Sequence, residues 1–274
     1  PVDWRPDRGE APRAARAGAG LGLFELRSLP FVGREPERDG LWRALRWVIE
    51  DGQPRGVLVS GASGCGKTAL ATWLIRRASE TGAAQALSVR YSAEGGRAHG
   101  FPAALRRLLN ARGLGRAELV ERAQHQLGPL GYAEPTEAQA LAEVIEPASD
   151  AARAQLGVPR LEKAEDVLAV VRRLLRRLAT DRPLVLHLDD VQWGPRGLAF
   201  AHDLLTFSLD EDVPLLVVAT VNTDQLVGQP EAAAQLQSFG ELKAVRAMPI
   251  GPLPRSSRHT LIRAMLGLSP SLAR

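Results

Sequence analysis

An α/β protein built on a five-stranded parallel sheet is what this sequence predicts, on three observations. Short runs of consecutive apolar residues recur between segments whose apolar residues fall at helical spacing. Runs without alternation read as strands buried on both faces, and strands that take turns with helices pair in parallel through right-handed crossovers. The first run, Val57-Leu58-Val59, leads into a glycine-rich octapeptide, Gly61-Ala62-Ser63-Gly64-Cys65-Gly66-Lys67-Thr68, with a helical pattern behind it. A later run, Leu184 to Leu188, ends in two acids, Asp189 and Asp190. A buried strand that delivers carboxylates to a sheet's C-terminal edge has this form.

The elements follow in order. Pro1–Gly22 is rich in Arg, Pro, Ala and Gly and has little apolar periodicity, so residues 1–27 read as a linker or lead-in. Phe31-Val32-Gly33-Arg34-Glu35 opens a helix over about 37–50, with Leu41, Leu45, Val48 and Ile49 as its buried stripe. Asp51-Gly52-Gln53-Pro54 ends it, and the first strand and its glycine loop come next. Leu70, Trp73, Leu74 and Ile75 mark one side of the following helix, and Ala86–Tyr91 gives a second strand. From about residue 95 to 160 the spacing is helical around Ala103–Leu109, Ala117–Leu127 and Glu137–Ile145, a helical insertion ahead of the acidic strand. Glu162–Ala179 is the clearest helix, with Leu168, Val171, Leu174, Leu175 and Leu178 on one face. Arg172, Arg173, Arg176 and Arg177 gather on its other face. They read as a patch for an anionic partner or as a solvated face, and the solvated face is preferred. Leu215–Thr220 and Lys243–Met248 supply the fourth and fifth strands. The core spans about residues 28–252.

The octapeptide meets the phosphate-loop pattern, a glycine, four free positions, then Gly-Lys-Ser/Thr. Strand, loop and helix together are the context that pattern requires, so the fold class sharpens to a P-loop NTPase. Glycines let successive backbone N–H groups point inward at phosphate oxygens, and the helix beginning near Lys67 adds its positive dipole end. Gly61, Gly64, Cys65, Gly66, Lys67, Thr68 and Ala69 are therefore the nucleotide-binding candidates. Lys67 would reach the β- and γ-phosphates, and the Thr68 hydroxyl would ligate Mg²⁺. Only three of the 35 basic residues are lysines, so a lysine at the motif position is not background.

Asp189 then falls to holding Mg²⁺, and Asp190 to orienting or deprotonating the attacking water. His187, inside the strand, reads as a packed core histidine. Asn222, at the end of the fourth strand, reads either as a γ-phosphate or lytic-water contact or as a simple turn residue. Cys65 lies between Gly64 and Gly66, which predicts that alkylation blocks nucleotide binding and that nucleotide protects the thiol.

Composition sets the boundaries. Hydrophobic and charged contents of 45% and 24% in 274 residues are those of an ordinary globular chain. No apolar run reaches the roughly 18 residues of a membrane span. A lone cysteine excludes an internal disulfide and suits a reducing cytoplasm. The net charge is only +4, which makes a poor case for nucleic-acid binding. The first residue is proline, and the chain is expected to be a piece of a longer protein.

Three segments together, Phe31-Val32-Gly33-Arg34-Glu35, the phosphate loop, and Leu186-His187-Leu188-Asp189-Asp190-Val191-Gln192-Trp193, resemble the AAA-type ATPase module of signal-transduction (STAND) proteins. Such modules occur in large bacterial transcription regulators and in bacterial Ser/Thr kinases with an ATPase region. More distantly, they resemble origin-recognition ATPases. The resemblance runs from about Phe31 to Leu268 and implies a five-stranded sheet with the phosphate-loop strand central. It implies that Val32, Gly33 and Arg34 lie over the adenine, and that residues 253–274 begin a helical lid that this chain truncates. Relatives often carry arginine where this chain has Asn222. The function implied is a regulatory ATP switch with slow hydrolysis, using ATP/ADP and Mg²⁺. Its partners would be other domains of the parent protein and, when ATP-bound, further copies of the same chain. Two alternatives stand beside it, a non-hydrolysing nucleotide-bound oligomerisation module and an origin-recognition-type DNA-handling ATPase.

Overall fold

Five strands form one parallel sheet in the computed structural model, which describes residues 31–95, 99–149, 161, 163–207 and 213–266. They are β1 (Arg55–Gly61), β2 (Gln85–Arg90), β3 (Leu184–Asp189), β4 (Leu215–Asn222) and β5 (Val245–Pro249). Their order across the sheet is β2-β3-β4-β1-β5, and every adjacent pair runs parallel. The expectation of a central phosphate-loop strand is corrected here. The middle strand is β4, and β1 lies between β4 and β5. Burial explains the order. All of β3 and β4 is buried, so these two take interior places, whereas β2 and β5 are partly exposed and form the edges. Pro249 is tolerated in β5 because an edge strand has one ladder to spare.

The helices are α1 (Glu35–Asp51), α2 (Lys67–Glu80), α3 (Gly100–Leu108), α4 (Arg116–Leu127), α5 (Pro135–Ile145), α6 (Ala164–Asp181), α7 (Pro195–Phe207), α8 (Pro230–Glu241) and α9 (Arg255–Leu266). The period-2 geometry of the strands sorts their side chains onto two faces. On one face Val57, Val59, Val185, Leu216 and Val218 pack with Leu41, Leu45 and Val48 of α1 and Leu70 and Leu74 of α2. On the other, Leu58, Val89, Leu186, Leu188 and Val217 pack with α3 to α8. Helix α1 stops where Gly52 adopts φ 70° and returns its N–H to the Val48 carbonyl at 3.1 Å. α7 and α8 were not assigned from the sequence. The lead-in of residues 1–27 and the end of the chain beyond residue 266 lie outside the described residues.

Helices α3, α4 and α5, which follow β2, share one apolar cluster with the sheet through Leu105, Leu119 and Leu141. Two ion pairs join them, Arg116 to the buried Glu143 at 2.6 Å and Arg106 to Glu146 at 2.7 Å. Glu143 Oε2 also accepts the Ala148 N–H at 3.0 Å, so a carboxylate taken out of water keeps a hydrogen-bond partner besides its counter-charge. The arginines of α6 turn out to be neither a bare patch nor merely solvated. Arg173 and Arg177 both pair with Glu137 of α5, and the Arg177 guanidinium lies 4.8 Å over the Tyr132 ring. These residues hold α6 to the helical insertion.

Candidate functional site

The parallel register brings the ends of four strands to one sheet edge. Gly61 of β1 stands beside Asn222 of β4, and Arg90 of β2 beside Asp189 of β3. At this edge opens a cleft of about 590 Å³, lined by the loop residues Ser63, Gly64, Gly66, Lys67, Thr68 and Ala69. Arg90, Tyr91, Asp190, Trp193, Asn222 and Gln225 complete much of its wall.

Two kinds of glycine build the loop. Gly64 and Gly66 have φ of 76° and 90°, and a Cβ at either would meet nothing within 4 Å, so what they supply is the left-handed backbone. Gly61 has a different reason, because its Cβ would lie 2.3 Å from the Ile250 carbonyl oxygen. The chain just beyond β5 passes too close for any side chain there. Gly66 caps α2, whose N-terminus opens on the cleft and favours an anion. Lys67 is buried, and its Nζ donates to the Gly61 and Ala62 carbonyls at 3.0 and 2.7 Å. An ammonium has three N–H donors, which leaves one for a phosphate oxygen.

Asp189 accepts from two hydroxyls, Thr68 Oγ1 and Thr220 Oγ1, each at 2.8 Å. Burial pushes its pKa up, but His187, 3.6 Å away, and the two threonines outweigh burial and hold the carboxyl at about 2. It is therefore ionised throughout the neutral range. Arg90 approaches its other oxygen at 3.4 Å. His187 is buried, with Nδ1 3.0 Å from Ser88 Oγ, in keeping with a packed core residue. Asp190 has φ 58°, an uncommon conformation for a residue with a side chain, and its N–H donates to Thr220 Oγ1 at 3.0 Å. Thr220 thus receives from one acid's backbone and donates to the other acid's side chain.

These residues fit a magnesium nucleotide. Thr68 and Asp189 offer a hydroxyl and an ionised carboxylate in contact, the hard oxygen pair that Mg²⁺ takes. Among the described residues no group of three or more His, Cys, Asp or Glu could hold a metal unaided. The Asn222 Oδ1, buried and without a partner, is a polar atom of the cleft wall that a ligand or water would satisfy.

Lys67, Thr68, Asp190 and Asn222 thus line one cleft, and Asp189 adjoins it through Thr68. Arg34 is placed otherwise than a base contact suggests. It is buried in a left-handed conformation, φ 64°, and its guanidinium donates to the Cys65 carbonyl at 3.0 Å, to the Gly251 carbonyl and to Glu37. Val32 and Gly33 lie next to it, and a Cβ at Gly33 would come 2.8 Å from Ser257 Oγ of α9. Phe31 stacks on Trp73 at 6.2 Å, which fixes this segment against α2. Cys65 is 7% exposed and packs into the α1–α2 core, so its thiol does not present itself to a reagent at the cleft. The alkylation expected of it has to await opening of the loop. Sequence reasoning missed Arg90, Thr220, Gln192 and Gln225. Thr220 had a legible signal, a polar residue inside an otherwise apolar strand beside the acidic one.

An α/β sheet of this order, with a glycine loop, a buried lysine and an ionised strand-end aspartate at its C-terminal edge, defines a P-loop nucleotide-binding protein. The family model of the AAA ATPase domain matches residues 30–218, and the chain belongs to that family. No curated protein sequence matches it. Among solved structures, a chain of the HORMA:CdnC:Trip13 complex of E. coli MS115-1 is 13% identical with a TM-score of 0.47, and the match covers 89% of this chain and 72% of that one. The Aeropyrum pernix ORC1 protein in complex with DNA is 18% identical with a TM-score of 0.45, covering 88% of this chain and 50% of that one. Cdc6p from Pyrobaculum aerophilum is 15% identical with a TM-score of 0.45, covering 89% and 52%. The chain therefore spans about half the length of these two proteins. Among the described residues no helix is long and apolar enough to cross a membrane.

Proposed function

We propose that this chain is the ATP-binding switch module of a larger signalling protein of the STAND type, and that it hydrolyses ATP slowly. The observation that carries the reading is the meeting of Lys67, Thr68 and two unlike aspartates around one cleft. Asp189 is tied into a hydroxyl network suited to a metal, while Asp190 lines the open cleft. Lys67 and the N-terminal amides of α2 bind the phosphates, and Thr68 and Asp189 would hold Mg²⁺, which would supply neutralisation of phosphate charge. Asp190 orients the attacking water and draws its proton, and Asn222 contacts that water or the γ-phosphate. Val32 and Gly33 border the adenine, with Arg34 bracing them from behind. Turnover is slow because an arginine from a second copy of the chain has to complete the site.

Paired titrations of Mg²⁺-ATP and Mg²⁺-ADP test the first part. Lys67→Ala removes charged hydrogen bonds worth roughly 1.5–3 kcal/mol, so affinity falls by about ten- to 150-fold if one such bond dominates. An unchanged affinity sinks the assignment of the loop. Phosphate release compared with Asp190→Asn tests the second part. Tight binding of both nucleotides, with no phosphate release for Asp190→Asn to lower, would mean a nucleotide-held assembly module instead.

A further inference from the structure

Gln192 lies on the short turn Val191–Trp193 after β3, and its side chain is 2% exposed. It does not line the cleft, so a nucleotide would not meet it. Both ends of its amide are nevertheless hydrogen-bonded, and its orientation is forced. The backbone N–H of Asn222 donates to Gln192 Oε1 at 3.0 Å, and an N–H can be received only by the oxygen end of that amide. The nitrogen end must then face the other way. There Nε2 donates to Asp190 Oδ1 at 3.3 Å and to Gln225 Oε1 at 3.0 Å. One buried side chain thus joins the acid that follows β3, the last residue of β4 and a cleft residue three positions further on.

We propose that Gln192 is a positioning residue for hydrolysis, holding the Asp190 carboxylate toward the cleft and tying its setting to the end of β4. The inference rests on the reading of Asp190 as the group that acts on the attacking water. Asp190 needs such support because its backbone is in a left-handed conformation, held from one side by Thr220. A carboxylate left to rotate would spend part of its time away from the water, and misplacement by about 1 Å is enough to cost on the order of a hundredfold in rate. Movement of the β4 end on contact between Asn222 and a γ-phosphate would reach Asp190 through this same amide.

Gln192→Glu separates the two ends of the link. It keeps an oxygen for the Asn222 N–H and replaces the donors to Asp190 and Gln225 with a carboxylate. Mg²⁺-ATP affinity is expected to stay within about threefold while the rate constant for phosphate release falls by about ten- to a hundredfold. In an Asp190→Asn background the same substitution should have no further effect on the single-turnover rate, since its partner is already altered. Wild-type turnover in Gln192→Glu overturns the proposal. So does a loss that is carried equally by affinity, or one that persists undiminished in the Asp190→Asn background, because either marks a general packing role. If Gln192→Glu fails to fold, Gln192→Ala, judged by the same split between affinity and rate, decides. A wild-type protein that binds ATP and releases no phosphate overturns the reading of Asp190 itself, and this inference with it.

Discussion

Helix α2 begins at the phosphate loop and helix α9 lies beside Gly33, and the two are anchored in opposite ways. Helix α2 starts at the phosphate loop and drives Leu70, Ala71, Leu74 and Ala78 into the core below the sheet. Helix α9 follows β5, and none of its described side chains through residue 265 is buried; Ile262 is 50% exposed. The phosphate end of the site is therefore set before any ligand arrives, and its grip draws on the stability of the whole sheet. The α9 end has few packed neighbours and belongs to the low-stability part of the molecule, the part a ligand can reorganise cheaply. Arg34 stands between the two, bonded to Cys65 of the loop and to Gly251 ahead of α9.

The largest effect that follows is in the α2 anchor. Leu74 is fully buried, and Leu74→Ala leaves a cavity worth about 2–5 kcal/mol of unfolding free energy, read by urea denaturation. A loss below about 1 kcal/mol would mean that α2 is no better anchored than α9, and the contrast would fail.

Gly61→Ala comes next and probes the closeness of β1 to β5. The new methyl would press on the Ile250 backbone carbonyl, which cannot swing aside as a side chain can, and such overpacking costs about 1–3 kcal/mol. Because the clash pushes on the β5 end, ATP affinity should fall with stability. Full stability in Gly61→Ala would show that this edge yields, and that the phosphate end is less preset than the geometry implies.

These contacts also mark how far the residues alone could be read. Periodicity gave the five strands to within a residue or two, because buried parallel strands are uninterrupted apolar runs. It could not give their order, which depends on comparative burial among strands far apart in the chain. The phosphate loop, Asp189 and Asp190 were legible because their chemistry demands fixed residue types at fixed spacing. Gln192 was in plain view within the acidic-strand motif, yet its role depends on a backbone N–H at Asn222, thirty positions away, that no local pattern announces. The same holds for Arg34. A left-handed arginine that hands its guanidinium to two carbonyls is a product of tertiary closure.

Arg34→Met sharpens the contrast further by cutting the tie between its two sides while keeping an unbranched apolar stem. The Cys65 and Gly251 carbonyls and Glu37 each lose a charged donor, at a cost of about 1–3 kcal/mol. Hydrogen exchange should report the loss unevenly. Amides of α9 should exchange faster than in wild type, while those of α2 beyond its first turn, protected by the core, stay as they were. Equal acceleration in both helices would place Arg34 in the global core rather than between two unequal parts.

The smallest effect is expected at Ile262, and it is the most direct test of the open side. With half of its surface already in water, Ile262→Ala should change unfolding free energy by no more than about 0.5 kcal/mol. Its consequence should appear only when ATP is bound. If nucleotide draws α9 toward the Val32–Gly33 segment, amide exchange in residues 255–266 slows on adding Mg²⁺-ATP, and Ile262→Ala reduces that slowing without altering the melting of the protein alone. Should Ile262→Ala destabilise the unliganded protein as much as Leu74→Ala does, α9 is a packed wall of the fold, and the division between a preset end and a responsive end is wrong.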